Sequence, residues 1–430
     1  IKGTIKDEST EGEVTHFQAL ATAVSGTVGN GNIAGVALAI ALGGPGATFW
    51  MVVCGFLGMS TKFVECTLGV QYRDVGEDGT VYGGPMYYIS KGLKERGFKT
   101  FGKIVAIIFA IFCIGGSFGG GNAAQSNQAT VVLKELMGLE SSGAGFWIGV
   151  VMAVVVGVII IGGIKRIASV TEKVVPFMAV LYLLACLYIL GANFSLIDDA
   201  FSLIFREAFN PTAIGVGGVI GVLLVGFKRA AFSNEAGAGS ASIAHSAVKT
   251  KYSASEGLVA LLEPFIDTVV ICTMTALVII IFNFGGDASG ATIFQYGGDG
   301  AGAVLIDGVS YEGAGITSKA FAQYIPYSNV FLTIAVVLFA VSTMISWSYY
   351  GLQSWKFLFG RGKAADMAYK LLFLVFVIIG ASASMNSIWA FSDAMIFAMV
   401  FPNMVGLYFL FPVVKKQLKR YTDAIKESNA

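Results

Sequence analysis

Charge is the scarcest feature of this sequence. Of its 430 residues only 13% are Asp, Glu, Lys or Arg, and it contains two histidines and eight prolines. By contrast, 55% of the residues are apolar, and the mean hydropathy is +0.74. A water-soluble globular protein needs many more charges on its surface, so this composition predicts a polytopic protein of the lipid bilayer.

Cysteine usage and net charge exclude further classes. The five cysteines lie in apolar runs without a C-x-x-C spacing, which is typical of small buried side chains and not of a disulfide framework or a metal site. The formal net charge of +1 gives no reason to expect a nucleic-acid partner. Neither a nucleophile–base set nor a P-loop is recognisable, so we expect no enzyme and no cofactor.

Ten apolar segments can be drawn as membrane crossings, at roughly 20 residues for each crossing. Segments 1 to 10 cover approximately residues 14–42, 46–71, 103–137, 144–163, 169–192, 212–245, 255–283, 328–352, 366–382 and 386–412. Basic residues concentrate in alternate connections, so the positive-inside rule places both termini of this fragment on the cytoplasmic side of the cell membrane. We therefore predict one multi-pass transmembrane domain over residues 1–430.

The ten segments divide into two halves of opposite orientation, about 14–192 and 212–412, as in an inverted repeat. Segment 1 is interrupted at residues 25–35 by glycines and asparagines, and segment 6 carries a glycine- and charge-rich stretch at residues 226–239. Backbone groups freed at membrane depth persist only where protein buries them or where they line a polar cavity. Two such interruptions predict a transport site between segments 1 and 6, with kinked channel helices as the alternative.

Two connections look structured. Residues 195–208 alternate apolar and polar side chains in a way that predicts a short interfacial helix. Residues 284–327 are rich in Gly and Asp and form either an external plug or lid, or a plain solvated connection.

Polar residues inside segments 3 and 8 allow two interpretations each. In segment 3, Asn122 and Gln125 lie one helical turn apart and either contact a zwitterionic ligand or only tie the segment to its neighbours. In segment 8, the hydroxyls of Ser342 and Thr343 either bond back to their own helix or help to hold Na⁺. Sodium is a hard ion that prefers neutral oxygen ligands, which freed carbonyls and hydroxyls supply.

Few ionisable groups lie inside the segments. We expect Lys228, Arg229 and Glu235 to form a cytoplasmic-side charge cluster, with which Glu263 and Asp267 pair. Proton coupling through one of these two carboxylates is the alternative to sodium coupling. The histidines, His16 and His245, fall near cytoplasmic ends and are interpreted as interfacial.

Five motifs resemble the alanine/glycine:cation symporter family: GNGNIAGVA at 29–37, LGGPG at 42–46, MSTKFVE at 59–65, FSNEAG at 232–237 and WSYYG at 347–351. This resemblance spans essentially the whole chain. It implies uptake of alanine or glycine driven by sodium or protons, on the all-α five-plus-five inverted-repeat fold of bacterial leucine transporters, with helices 1 and 6 broken. Family members usually have Thr where this chain has Asn30, and an additional N-terminal helix that this sequence, which begins at Ile1, does not include.

The resemblance also implies an ion site. Na⁺ as coupling ion would be held by the carbonyl oxygens of Ser25, Val28 and Phe339 and by the hydroxyls of Ser342 and Thr343.

We expect the substrate, a small neutral amino acid, to lie beside this ion during alternating access. Its carboxylate would meet backbone N–H groups at the start of the second half of segment 1, where the helix dipole is positive. Its ammonium would meet carbonyls near Gly226 and Phe227 together with Gln125, and Phe227 or Phe232 would limit side-chain size. The predicted substrate residues are Thr27, Gly29, Asn30, Gly31, Asn32, Gln125, Gly226, Phe227, Ala230, Phe232 and Ser233. A passive channel for small neutral solutes is the alternative function, and the sequence carries no signal for an oligomeric state.

Overall fold

Helices form nearly all of the structure, a computed structural model that describes residues 11–141, 143–210, 217–285, 292–297 and 300–429. The helices of the first half are α1 (His16–Thr27), α2 (Val36–Gly43), α3 (Gly46–Gln71), α4 (Pro85–Glu95), α5 (Lys99–Phe118), α6 (Ala124–Met137), α7 (Ala144–Ile160), α8 (Gly163–Ala192) and α9 (Ile197–Phe209). Those of the second half are α10 (Gly218–Asn234), α11 (Ala241–His245), α12 (Ser253–Ala260), α13 (Leu262–Pro264), α14 (Thr273–Asn283), α15 (Ala314–Ala322), α16 (Ser328–Phe359), α17 (Lys363–Ser382) and α18 (Met385–Asn429). Two short antiparallel hairpins complete the described part, β1 (Asp74–Val75) with β2 (Val81–Tyr82), and β3 (Ala303–Ile306) with β4 (Val309–Glu312).

The helices are long and apolar enough for a multi-pass membrane protein. Within the described residues, 7 helices can cross a membrane by length and composition, and the count rises to 8 when the bent pair α1–α2 is one span. The shorter helices α7 and α10 occupy predicted segments 4 and 6, so every predicted segment contains helix. Large apolar side chains on the outside, such as Trp147, Ile220 and Tyr408, are 67–75% exposed, as lipid-facing residues are in a membrane protein.

Segment 1 breaks where the sequence predicts it. A capping box at Thr15 begins α1, in which the Thr15 hydroxyl accepts from the Gln18 N–H and the Gln18 side chain accepts from the Thr15 N–H. The helix ends at Thr27 because Val28 turns to an extended conformation, with φ −72° and ψ 93°. A π-helical turn at Gly31–Gly35 then leads into α2, which is bent by 50° from α1.

Two further segments contain π turns. Gly119–Ala123 joins α5 to α6, and Phe265–Cys272 joins α13 to α14. At Gly121 a methyl group would overlap the indole of Trp347, so the absence of a side chain lets segment 3 approach segment 8 closely. Wide turns of this kind rotate the following side chains, and they frequently occur at functional sites.

Segment 6 differs from the expectation. Helix α10 runs without interruption through Gly226 and Phe227 and ends at Asn234, where Glu235 adopts a left-handed conformation with φ 55°. The break therefore lies between Glu235 and α11, at the C-terminal end of the predicted stretch 226–239 and beyond Gly226 and Phe227. Residues 211–216 of this segment lie outside the described residues.

Both predicted structured connections contain helix. The interfacial helix expected over 195–208 is confirmed as α9. In the 284–327 connection, the β3–β4 hairpin is followed by α15, which is largely buried. The Thr317 hydroxyl donates to the Ile33 carbonyl at 3.1 Å, and the Ala314 N–H donates to Gln128 Oε1 at 3.3 Å. This connection thus packs over the second half of segment 1, as a plug or lid would, rather than lying free in solvent.

Candidate functional site

Side-chain amides cap the opened turn of segment 1. The Gly29 N–H donates to Asn32 Oδ1 at 2.9 Å, and the Asn30 N–H donates to Gln125 Oε1 at 3.1 Å. The Asn30 amide also donates to the Gln125 carbonyl at 3.2 Å. All four residues are buried. An unpaired amide at this depth would cost several kcal/mol, so these bonds explain how asparagines are tolerated there.

The same bonds refine the predicted carboxylate site. The N–H groups of Gly29 and Asn30 already have amide partners, and the Asn32 N–H donates to the Gly29 carbonyl at 3.1 Å. A carboxylate entering the turn would therefore exchange places with side-chain amide oxygens. The Oδ1 atom of Asn30 is buried and has no hydrogen-bond partner among the described residues. It is an acceptor that an ammonium group could satisfy.

The side-chain amides of segment 3 have two different roles: one lies at the candidate site, and the others bond to a neighbouring helix. Gln125 reaches the opened turn and is fixed there by donating to the Gly120 carbonyl at 2.9 Å. Asn122 instead donates to the Phe373 carbonyl at 2.7 Å, and Asn127 to the Gly380 carbonyl at 3.2 Å, both on α17. Thus Gln125 lies at the candidate site, while its neighbours tie segment 3 to segment 9.

Asp267 lies at the candidate site, although the sequence predicts that it pairs with the charge cluster of segment 6. Its Oδ1 accepts from the Asn32 amide at 2.6 Å, and its Oδ2 accepts from the hydroxyls of Ser233 and Thr268 at 2.7 Å each. The carboxylate is fully buried, and within the described ranges no Lys, Arg or His forms an ion pair with it. The signal that could have found it is that Asn32 and Asp267, both polar at membrane depth, each need a partner.

Two predicted residues of segment 6 face away from the site. A methyl group on Gly226 would lie 2.6 Å from the Ala47 carbonyl, and the Phe227 ring lies 6.2 Å from that of Trp50. Both residues therefore pack against α3, and because α10 is continuous their carbonyls are not freed. The structure therefore does not bring Gly226 and Phe227 to the opened turn, and their contact with an ammonium group stays a prediction.

The following turn of α10 does reach the site. A methyl on Gly31 would lie 3.6 Å from the Phe232 ring and 3.5 Å from the Cα of Ser233. The Phe232 ring also packs 4.8 Å from that of Trp389, so of the two phenylalanines Phe232 is the one beside the opened turn. Ala230 is buried in the same helix.

One more predicted residue of segment 1 bonds elsewhere. The Thr27 hydroxyl donates back to the carbonyls of Ala23 and Val24 at 3.3 Å each. It is thus satisfied within its own helix.

Four of the five predicted sodium ligands cluster between segments 1 and 8. The Ser25 hydroxyl donates to the Ser342 carbonyl at 2.7 Å, and the Thr343 hydroxyl donates to the Ser25 carbonyl at 3.0 Å. The Ser342 hydroxyl donates to the Phe339 carbonyl at 2.9 Å. No hydrogen bond between described residues links Val28 to this cluster; its N–H donates to the Val24 carbonyl at 2.7 Å. The chemistry of the set, neutral hydroxyl and carbonyl oxygens, suits a sodium ion.

The expected cytoplasmic charge cluster is divided in the structure. Arg229 and Lys228 both contact the Asp393 carboxylate, at 2.5 Å and 2.8 Å. Glu235 accepts from the Trp347 indole N–H at 2.9 Å instead. Glu263 pairs with Lys62 at 3.0 Å, which corrects the expectation that it pairs with the cations of segment 6.

Comparisons with known proteins agree with one another. A model described as the sodium:alanine symporter family matches residues 1–430. The chain is 40% identical over 422 residues to the sodium/alanine symporter AgcS of Methanococcus maripaludis, which covers 98% of this chain and 87% of that protein. It is 32% identical to the sodium/proton-dependent alanine carrier protein of Bacillus sp. (strain PS3), over 98% of this chain and 91% of that protein. Among solved structures, MhsT in complex with L-phenylalanine superposes with a TM-score of 0.61 at 16% identity, covering 93% of this chain and 89% of the other.

Proposed function

The chain belongs to the sodium:alanine symporter family and is a membrane transporter rather than an enzyme, and from this premise we propose that it couples sodium entry to the uptake of alanine or glycine. The observation that carries the proposal is that the oxygen cluster and the amide-capped turn meet at one point. A methyl group on Gly29 would overlap the Thr343 hydroxyl and lie 3.2 Å from Gln125 Oε1. An ion and a substrate bound on either side of Gly29 would thus be neighbours.

The substrate site suits a small zwitterion. Backbone N–H groups of the opened turn and the Gln125 amide can bind a carboxylate once the internal bonds are exchanged. The unpartnered Asn30 Oδ1 is then available to the ammonium group. Phe232, which packs between Gly31 and Trp389, would limit the size of the substrate's side chain.

Sodium binding would stiffen the contact between segments 1 and 8. The hydrogen bonds that join Ser25 to Ser342 and Thr343 are the bonds that an ion would replace with shorter, stronger oxygen contacts. One Na⁺ moving down 100 mV supplies about 2.3 kcal/mol, enough for a concentration ratio of roughly 40–50 before any chemical gradient is added.

Proton coupling is the second candidate, and the observation in its favour is Asp267. This buried carboxylate binds Asn32 directly, so a change in its charge would be felt at the Gly29 turn. If a pH step drives uptake without sodium in the wild type but not in Asp267→Asn, Asp267 is the coupling group.

We also propose the arrangement in the membrane. Both termini of this fragment face the cytoplasm from the cell membrane, and residues 14–192 and 212–412 form one transmembrane domain of two inverted halves. The charge alternation of the connections supports this orientation. Cysteine labelling from one side of the membrane, at the hairpin residue Leu305 and at the α18 residue Lys426, tests it, since the two should label from opposite sides.

Replacing Ser342 and Thr343 together by Ala is expected to raise the half-saturating sodium concentration by roughly tenfold or more, because each lost ligand oxygen weakens binding by about 1–2 kcal/mol. The measurement is counterflow of radiolabelled alanine in proteoliposomes at graded sodium concentrations. Ser348→Ala is the matched control, since that hydroxyl lies on the same helix and bonds back to the Ile345 carbonyl at 2.7 Å. An unchanged sodium dependence would remove both hydroxyls from the ion site.

Replacing Gln125 by Leu is expected to weaken alanine binding by roughly tenfold to a hundredfold, since the turn loses a polar partner at a buried position. Calorimetric titration of the detergent-solubilised protein with alanine measures the dissociation constant. Asn127→Leu, a buried amide of the same helix that bonds to α17, is the control. Equal dissociation constants for wild type and Gln125→Leu would exclude Gln125 from the site.

A further inference from the structure

Both histidines of the chain bind the same carboxylate. Glu256 Oε2 pairs with His16 Nδ1, and Glu256 Oε1 pairs with His245 Nδ1 at 2.5 Å. The three residues lie on three elements, since His16 is the first residue of α1, His245 the last of α11, and Glu256 belongs to α12. Glu256 and His245 are fully buried, whereas the His16 side chain is 18% exposed. One exposed ring therefore connects the surface to a buried acid–base pair.

The series of polar side chains continues toward the interior, and one separation in it is too long for a hydrogen bond. His245 Nε2 lies 3.8 Å from Glu263 Oε2, and neither atom has a hydrogen-bond partner in the described part of the protein. The other oxygen of Glu263 accepts from Lys62 Nζ at 3.0 Å. Two buried polar atoms that face each other without a hydrogen bond lower the stability of the folded protein. A proton on His245 Nε2 supplies the donor that both atoms lack.

The surroundings of the two imidazoles are rich in carboxylates. Among the described residues, the only cation paired with this inner group is Lys62, which contacts Glu263. The carboxylates that contact the histidines are Glu256 and Glu263. The elements packed around them carry further ionisable groups: Lys62, Glu65 and Cys66 of α3, Glu172 of α8, and Tyr350 of α16. His245 thus lies between two carboxylates, those of Glu256 and Glu263.

We propose that His16, Glu256 and His245 form a proton-binding site that latches α1 to α11 and α12. The ligand is H⁺ taken from water, and binding forms an N–H bond on each ring. With both rings charged, Glu256 accepts from two cationic donors, and His245 also donates to Glu263. When the rings lose their protons the latch weakens. Helix α1 leads directly to Ser25 and the Gly29 turn, so its release is a step toward opening the cytoplasmic side of the transport site.

The latch makes turnover sensitive to pH. Loss of the imidazole protons removes the two cationic donors of Glu256. We expect the maximal rate of alanine exchange, at saturating sodium and equal pH on both sides of proteoliposomes, to rise roughly tenfold between about pH 7 and 10. His16→Gln keeps an amide donor for Glu256 but cannot be protonated, so its rate should change less than that of the wild type over the same range. Phe17→Leu, at an exposed neighbouring position, is the control and should follow the wild type.

A distance measurement tests the latch independently of transport. Spin labels at Phe17→Cys and Leu258→Cys, both exposed, report the separation of α1 from α12 in a Cys54→Ser background, since the four other cysteines are buried. We expect one short distance at about pH 7, a longer component at about pH 10, and a smaller pH effect when His16→Gln is added. A distance that ignores pH, or one that shifts equally in His16→Gln, overturns the proposal. Absent alanine exchange with an intact pH-dependent distance would instead count against the proposed function alone.

Discussion

Gly29→Ala is expected to lower the alanine transport rate by roughly tenfold to a hundredfold, because overpacking of a dense interior costs about 1–3 kcal/mol. A methyl group at this position would overlap the Thr343 hydroxyl, which donates to the Ser25 carbonyl, and would lie 3.2 Å from Gln125 Oε1. Thr343 must move, so its bond to Ser25 is lost. Gln125, which caps the Asn30 N–H, is displaced with it. One added carbon therefore disturbs the sodium side and the substrate side of the site together.

The matched control lies one and a half helical turns away. Gly35 belongs to the π turn of the same segment, and a methyl group there would meet nothing within 4 Å. Gly35→Ala should therefore transport as the wild type does, and the melting temperatures of both variants in detergent separate lost function from lost folding. If Gly29→Ala transported like Gly35→Ala, the two sites would not meet at Gly29.

The second large effect is expected at Asp267. Replacing it by Ala leaves the Asn32 amide and the hydroxyls of Ser233 and Thr268 without their acceptor in a buried place. Each buried group left unpaired costs about 1–3 kcal/mol, so transport should fall by at least roughly a hundredfold and the melting temperature should drop. Asp267→Asn keeps one acceptor oxygen, and hydroxyls can rotate toward it, so this variant should be intermediate in stability. Alanine counterflow and thermal melting in detergent measure the two effects.

A double-mutant cycle decides whether Asp267 acts through Asn32. If it does, adding Asn32→Ala to Asp267→Ala should cost much less than the sum of the two single changes, since the bond between them is lost once. Additive losses would mean that Asp267 supports the fold by another route. Asp198→Ala, at an exposed position in α9, controls for the loss of an acidic residue and should leave transport intact.

The break in segment 1 could be predicted because its residues conflict with their surroundings. Glycines at Gly29 and Gly31 weaken a helix, and asparagines at membrane depth require partners that a straight helix does not offer. Gln125 was predictable for a related reason, as an amide in an apolar segment beside a run of glycines. The hydroxyls of segment 8 were ambiguous in sequence, and they form both kinds of bond. Ser342 bonds back to Phe339, whereas Thr343 reaches Ser25.

The position of the second break was not predictable from the same cues. Gly226 is a residue type that weakens helices, but here it lies inside a continuous helix, where the missing side chain lets α10 approach Ala47 closely. The helix ends instead at Glu235, a residue type that seldom adopts the left-handed conformation, so no composition rule points to it. The pairing of Asn32 with Asp267 joins residues far apart in the chain, and only the packing of segments 1, 6 and 7 selects that partner.

The β3–β4 hairpin and α15 have a consequence for the speed of transport. The Thr317 hydroxyl donates to the Ile33 carbonyl, and the Ala314 N–H donates to the Gln128 side chain. This outer connection is therefore hydrogen-bonded to segments 1 and 3, the two segments that supply the amides of the opened turn. Any rearrangement that uncovers the turn from that side must either break these bonds or carry the connection along. Substitutions in this connection are therefore expected to change the rate of uptake more than the affinity for either solute. The rate of the transport cycle and its selectivity would then be determined by separate parts of the chain.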